Sequence, residues 1–348
     1  GPQLDHAAPA SPAKQALQQQ FADLHGLIDN DGNPTAVLLQ SQQALTQLQL
    51  QLAQLYNSGD SGQLAFEMAR KRMQHQADAI SATRDAAAAL PAPLNGWINQ
   101  LASDAWGQVL ADAGRYLNQR YRTDLYSVYR SAFAQRYPFS ADSSRDVELN
   151  DFRRFFQQEG IVEQFVAGYL EPFVIQRDGR YRLRSLDGRS LPLSSALLTQ
   201  LGRAQAIRAG FFADDPFEPG VQFRLEPYAL DASLGRASFH YGPQQLEYRH
   251  GPIVASAFRW PAAEGSERIS LTLEDLGGRR LGLQQEAGTW SLFRLLDRID
   301  IQRQEERDAL LLRASIGGMR AQYLLHSQRA PNPFDPDLLR SFALPAHL

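Results

Sequence analysis

Residues 310–325 read LLLRASIGGMRAQYLL. A two-residue turn at Gly317-Gly318 pairs Ile316 with Met319 and every position outward from them. One face then collects Leu310, Leu312, Ala314, Ile316, Met319, Ala321, Tyr323 and Leu325. The other takes Arg313, Ser315, Arg320, Gln322 and His326, with Leu311 and Leu324 facing each other. A slip of one residue would turn the apolar set to water, so the register is well specified.

Upstream the same alternation recurs. Positions 221, 223 and 225 are apolar, while 222, 224 and 226 are polar. FHYGPQQLEY (239–248) makes a hairpin with Gly242 to Gln245 as a four-residue loop, which sets His240 across from Glu247. Phe239, Tyr241, Leu246 and Tyr248 then share a face. A two-residue turn at Gly277-Gly278 fails this test, because it sets Glu274 against Leu281. One extra loop residue matches Leu273 with Leu283 and predicts a longer loop or a bulge. TWSLFRLLDRI (289–299) instead has Trp290, Phe293 and Leu296 at helical spacing. About seven or eight antiparallel strands with one helix point to a β-sandwich.

Before Pro172 the text is helical. Leu38, Leu45 and Leu52 repeat at seven, and Asn57 to Gly62 break the run. A second helix is predicted through Phe66, Met73 and Ile80 to about Leu90, closed by Pro91 and Pro93. Trp97, Leu101 and Ala105 begin a third, and Leu117, Tyr121, Leu125, Val128 and Phe133 carry another. Packing into a bundle follows. Asp178-Gly179 and Asp187-Gly188 are turn dipeptides, and Ser194 or Ser195 caps a helix to Phe211. The fold class is α+β, an N-terminal helical domain followed by an antiparallel β-sandwich. The expected division is a cleavage scar and loose N-terminus at 1–12, a helical domain at 13–172, a connecting hairpin and helix at 173–212, the sandwich at 213–330, and a tail packed on it at 331–348.

Composition narrows the function. The 348 residues are 43% hydrophobic and 21% charged, those of a folded soluble protein. The 35 basic and 38 acidic residues nearly cancel, so nucleic acid and anionic lipid are poor default partners. With no cysteine there are no disulfides, thiolate zinc sites, iron–sulfur clusters or Cys nucleophiles. No apolar run is long enough to span a bilayer. The opening Gly1-Pro2 reads as a protease scar on a fragment of a longer protein. Seven histidines are scattered, and His240 and His250 fall on opposite hairpin faces, where they cannot share a metal. No phosphate loop, dinucleotide fingerprint, zincin helix or nucleophile elbow occurs.

The most chemically suggestive stretch is RYPFSADSSRDVELNDFRRFF (136–156), with Asp142, Asp146, Glu148 and Asp151. The spacing of the last three suits carboxylates around a hard cation, or a carboxylate-dependent hydrolase. The competing reading is local. Phe152, Phe155 and Phe156 form one helical face, and Asn150 and Asp151 fall at that helix's start, where oxygen caps free N–H groups and negative charge suits the dipole. Capping is favoured. Trp260 and Trp290 raise a third possibility, a flat aromatic strip for glycan or peptidoglycan, weighed against burial in the core.

YPF (137–139), DVELNDFRRFF (146–156), Gly160, Phe165 and LEPF (170–173) together resemble the periplasmic C-terminal region of the IcmF/TssM family. GTWSLFRLLD (288–297) and AQYLLHSQRAPNPFDPDLLRSFALP (321–345) are similar to its later blocks, in the family's order. The resemblance implies a structural, non-enzymatic part of the type VI secretion membrane complex, with no cofactor. It implies binding to the outer-membrane lipoprotein TssJ, association with the inner-membrane subunit TssL, and self-association in the assembled complex. On this view Tyr137, Pro138, Phe139, Phe152, Phe155, Phe156, Trp290 and Phe293 lock helices to sandwich. Asn332, Pro333 and Phe334 pin the tail and are the candidate partner contacts. Prolines at 331, 333 and 336 keep the tail from extending the sheet as an exposed edge.

Overall fold

The computed structural model describes residues 11–29, 36–263, 267–285, 288–327 and 329–348. Most of the loose N-terminus expected at 1–12 lies outside the described residues. The helical part begins with α1 (Pro12–Asp29), α2 (Ala36–Asn57), α3 (Ser61–Met73), α4 (Ala79–Ala88) and α5 (Leu94–Tyr121). A π-helical turn, Arg122–Tyr126, joins α5 to α6 (Ser127–Ala132). Then come α7 (Leu149–Phe156) and α8 (Ile161–Phe165), the latter continued by a second π-helical turn, Val166–Leu170.

Three predicted helices are redrawn. The run from Phe66 to Leu90 is broken into α3 and α4, with His75 left-handed at φ 60°. The break is stabilised at Asp78, whose carboxylate accepts the Ser81 N–H at 2.8 Å and caps α4. Conversely, the two elements expected around Trp97 and Leu117 join in the single helix α5, which carries on as far as Tyr121. Gly107 and Gly114 do not interrupt it. They let neighbouring chain come close, since a Cβ there would lie 2.5 Å from Arg189 Nη1 and 2.6 Å from Pro192 Cγ. Helices α1, α3 and α4 pack on α5, with Trp106 fully buried and its indole N–H donating to the Leu186 carbonyl at 2.9 Å.

A hairpin, β1 (Val174–Arg177) and β2 (Arg180–Leu183), turns at Asp178-Gly179 with both residues at positive φ. Then α9 (Ser195–Phe211) starts at Ser194, whose hydroxyl accepts the Leu197 N–H at 3.1 Å.

The remaining strands are β3 (Val221–Leu230), β4 (Leu234–Tyr241), β5 (Gln244–Tyr248), β6 (Ser256–Trp260), β7 (Ile269–Asp275), β8 (Arg280–Gln285), β9 (Asp300–Gln304), β10 (Ala309–Ile316) and β11 (Met319–His326). Helix α10 (Ser291–Leu296) interrupts them and α11 (Pro336–Arg340) follows. All pairings are antiparallel, in a five-stranded sheet β6-β3-β11-β10-β9 and a four-stranded sheet β5-β4-β7-β8. These nine strands slightly exceed the number expected. Phe239 of one sheet meets Phe258 of the other at 5.2 Å between ring centroids. Helix α10 lends Leu292 and Leu296 to the same core.

The 310–325 hairpin has the predicted register throughout, from Ile316↔Met319 to Leu310↔Leu325. Leu311 and Leu324 are buried on the other face in a small cluster with Ala309. The other two hairpins keep their faces but shift by two residues. Gly242-Pro243 is a two-residue turn, so Tyr241 pairs with Gln244, His240 faces Gln245, and Glu247 faces Ser238. The β7–β8 loop is longer than two residues, as expected, but Leu273 pairs with Leu281 and Leu271 with Leu283. Asp275 sets that loop, because its carboxylate accepts the Arg279 N–H at 2.8 Å and Gly278 takes φ 85°.

Candidate functional site

The four acids of 142–151 do not converge. Asp142 is exposed, and Asp146 is engaged by Arg294 of α10. Glu148 occupies the N-cap position of α7 without a side-chain capping bond. Asp151 lies in the first turn, where its charge suits the helix dipole. The expectation that Asn150 or Asp151 caps the helix is corrected, since Asn150 Oδ1 accepts from Arg153 instead. Among the described residues no group of three or more His, Asp or Glu is placed to hold a metal ion.

The segment instead forms a junction. Tyr137 and Asp146 make a parallel bridge, in which Tyr137 N–H donates to the Arg145 carbonyl at 2.7 Å and Val147 N–H to the Tyr137 carbonyl at 2.8 Å. That small loop presents its groups to α10. Trp290 donates its indole N–H to the Val147 carbonyl at 2.8 Å. The Tyr137 hydroxyl donates to Asp297 at 2.6 Å, and the Arg294 guanidinium lies 4.0 Å over the Tyr137 ring. Arg294 also donates to the Ser143 carbonyl at 3.2 Å, and Asp297 is paired with Arg340. Burial, reinforced by the Asp297 hydrogen bond, pushes the Tyr137 phenol far above its ordinary range. Gly288 takes φ 98°, and a Cβ there would meet the Asp146 carboxylate at 2.7 Å, so the residue two before Trp290 has to be glycine.

The aromatic rings run unbroken across this junction. On the helical side Phe133 meets Phe155 at 4.6 Å, and Phe139 stacks on Phe156 at 6.0 Å beside the Tyr137-Pro138 bond. Phe152 then touches Trp290 at 5.3 Å and Phe211 of α9 at 5.3 Å. Trp290, Trp260 and Phe293 pack mutually within about 5.0–5.4 Å, and Phe293 reaches Phe334 at 5.4 Å. Phe152, Phe155, Trp260 and Trp290 have no exposed surface, so neither tryptophan offers a face to a sugar. A cleft of about 420 Å³ lies between α8, the β1–β2 hairpin and α9, with Phe156 in its lining. Glu163 and Arg208 are ion-paired across it.

The tail corrects two expectations. Pro333 and Phe334 are buried, with Phe334 against Phe223 at 4.9 Å, so they are occupied within the chain and are not free for a partner. Asn332 closes the local turn by accepting the Phe334 N–H at 3.0 Å. Past that point the tail keeps Asp335 on Arg303 of β9 and Arg340 on Asp297, and it also crosses onto the helices. Phe342 packs on Phe156 at 5.3 Å, Ala343 N–H donates to Gln200 at 2.9 Å, and Leu348 N–H donates to Asn118 at 2.9 Å. Sequence reasoning missed this strap. Its signal was the run of apolar residues after Pro336, Leu338, Leu339, Phe342, Leu344 and Leu348, in the closing stretch of the chain.

Two family models match successive stretches of the chain. Residues 112–215 match the type VI secretion protein IcmF helical domain, and residues 223–329 match the IcmF C2-like domain. The type VI secretion system component TssM1 of Pseudomonas aeruginosa is 31% identical over 337 residues, which cover 95% of this chain.

The chain belongs to the IcmF/TssM family, as a C-terminal region.

It spans 30% of the length of that TssM1 relative. A solved type VI secretion system membrane core complex superposes with TM-score 0.77 at 25% identity, covering 95% of this chain and 70% of that one. A TssM C-terminal domain from EAEC shares the fold with TM-score 0.61 at 23% identity, over 68% of this chain and 98% of that one. The relatives are components of type VI secretion membrane complexes, which supports a structural role for this IcmF/TssM region. Among the described residues no helix is long and apolar enough to cross a membrane.

Proposed function

We propose that this IcmF/TssM region is a periplasmic structural part of the type VI secretion membrane complex. It binds the outer-membrane lipoprotein TssJ and so links inner to outer membrane. TssL and further copies of the chain join it in the assembly, and it carries out no catalysis. The observation that carries this reading is the junction. A continuous aromatic core, the Trp290–Val147 and Tyr137–Asp297 hydrogen bonds and the tail strap couple helices and sandwich over many contacts. Such a close-packed aromatic core transmits strain between its two sides without a soft hinge.

The test is size-exclusion chromatography of the chain mixed with purified TssJ at about tens of micromolar, a range suited to stable protein interfaces. Co-elution is expected. Separate elution of the two proteins at that concentration overturns the TssJ assignment.

A further inference from the structure

We propose that the β6 edge of the five-stranded sheet is a docking site for an extended partner segment carrying carboxylates at alternate positions. The inference stands independently of the TssJ assignment, because it rests on the chemistry of this edge alone.

Strand β6 pairs only with β3, which leaves its outer side as a sheet edge. That edge already holds a substitute for a strand. Gln244, from the opposite sheet, accepts the Arg259 N–H at 2.8 Å through its amide oxygen, and its amide nitrogen donates to the Arg259 carbonyl at 3.5 Å. A primary amide that satisfies both main-chain groups of one residue does what a neighbouring peptide would do. Because strand geometry alternates, Ala257 points its N–H and C=O the same way as Arg259. An incoming strand would find these groups at the next rung.

The side chains around the edge specify the visitor. Arg224 and Arg259 are exposed, lie on one face as diagonal neighbours across β3 and β6, and have no carboxylate partner among the described residues. They line a shallow cleft of about 350 Å³ with Gln222, Gln244 and His326. Just before β6, Ile253 and Val254 are 52% and 66% exposed, an apolar step at the end of the edge. Antiparallel pairing of β6 with a second copy would set four arginines together, and like charges oppose that. Carboxylates on alternate residues would meet Arg224 and Arg259, while the intervening apolar residues turn toward the sandwich.

The probe is a dye-labelled peptide of about seven residues, the length of an ordinary strand, alternating Glu and Val, with a Lys-Val peptide as control. Fluorescence anisotropy at low ionic strength measures both against the full chain. The Glu-Val peptide is expected to bind about tenfold tighter than the control, from charge complementarity. Arg224→Glu with Arg259→Glu should reverse the preference. Ala257→Pro should weaken the Glu-Val peptide about tenfold while sparing the β3 ladder, because edge positions tolerate proline. Gln244→Ala, which removes the substitute, should strengthen binding severalfold. Failure of both peptides to bind, equal binding, or an unreversed preference in the charge-swapped chain overturns the proposal, and Gln244 is then only a seal on the edge. Should Ala257→Pro fail to fold, the charge swap decides, since both its side chains are exposed.

Discussion

Trp290 and Tyr137 illustrate how a buried polar ring is kept at low cost. Trp290 packs its ring among the aromatics and Tyr137 buries its ring beneath Arg294, and each places its one polar atom on an acceptor of the other half, the Val147 carbonyl or Asp297. Phe155 has no polar atom and simply fills space between Phe133 and Phe156. Phe155→Ala should therefore cost about 3–5 kcal/mol through lost burial and a cavity, read from urea unfolding. A loss below about 1 kcal/mol would show that the surrounding rings collapse into the space. Several tyrosines make a pH prediction. Burial raises the phenols of Tyr121, Tyr137, Tyr241 and Tyr323 above their ordinary value of 10.0, and pushes Tyr56 up to about 12. The folded state thus keeps protons that the unfolded chain releases. That contribution is fully present below the unfolded value near pH 10 and is lost as pH rises toward the folded values. Unfolding midpoints followed from about pH 8 to 12 should be flat and then fall, and a midpoint unchanged above pH 10 contradicts this.

At the level of elements, side-chain caps start α4, α9 and α11, and at α4 a buried charge adds to the cap. Asp78 both caps α4 and pairs with Arg72, a buried arginine that also contacts Asp187 and lies 4.5 Å over the Trp106 ring. Asp78→Ala should cost about 3 kcal/mol or more, because it strips a cap and leaves a buried guanidinium short of a carboxylate. Ser194→Ala, which removes only the α9 cap, should cost about 1 kcal/mol. Equal losses for the two variants in urea titrations would show that the Arg72 pairing adds nothing. The 310–325 register was legible because its apolar set is long and two glycines can fill a two-residue turn. The other two hairpins were legible only in their faces. A shift of two residues preserves every inside and outside assignment, so the pattern cannot choose between such registers. Asp275 and the Gly242-Pro243 turn made the choice.

For the whole molecule, the strap from Phe334 to Leu348 ties the sandwich to α5, α7 and α9. Removing residues 341–348 should destabilise the chain by roughly 3–6 kcal/mol, the burial of Phe342 and Leu344 side chains. It should also split the unfolding transition in calorimetry into two, as the halves lose a shared element. A single transition at an unchanged temperature would show that the junction alone holds them. The sequence by itself determined the order of helices then strands, the buried face of each strand, and the aromatic character of 136–156, because these follow from period and composition within short windows. Only the tertiary structure decided that Asp146 answers Arg294, that Trp290 closes on Val147, and that the tail returns to α5. Those partners lie up to 230 positions apart, and no local periodicity encodes a contact whose two sides meet only when separate elements pack.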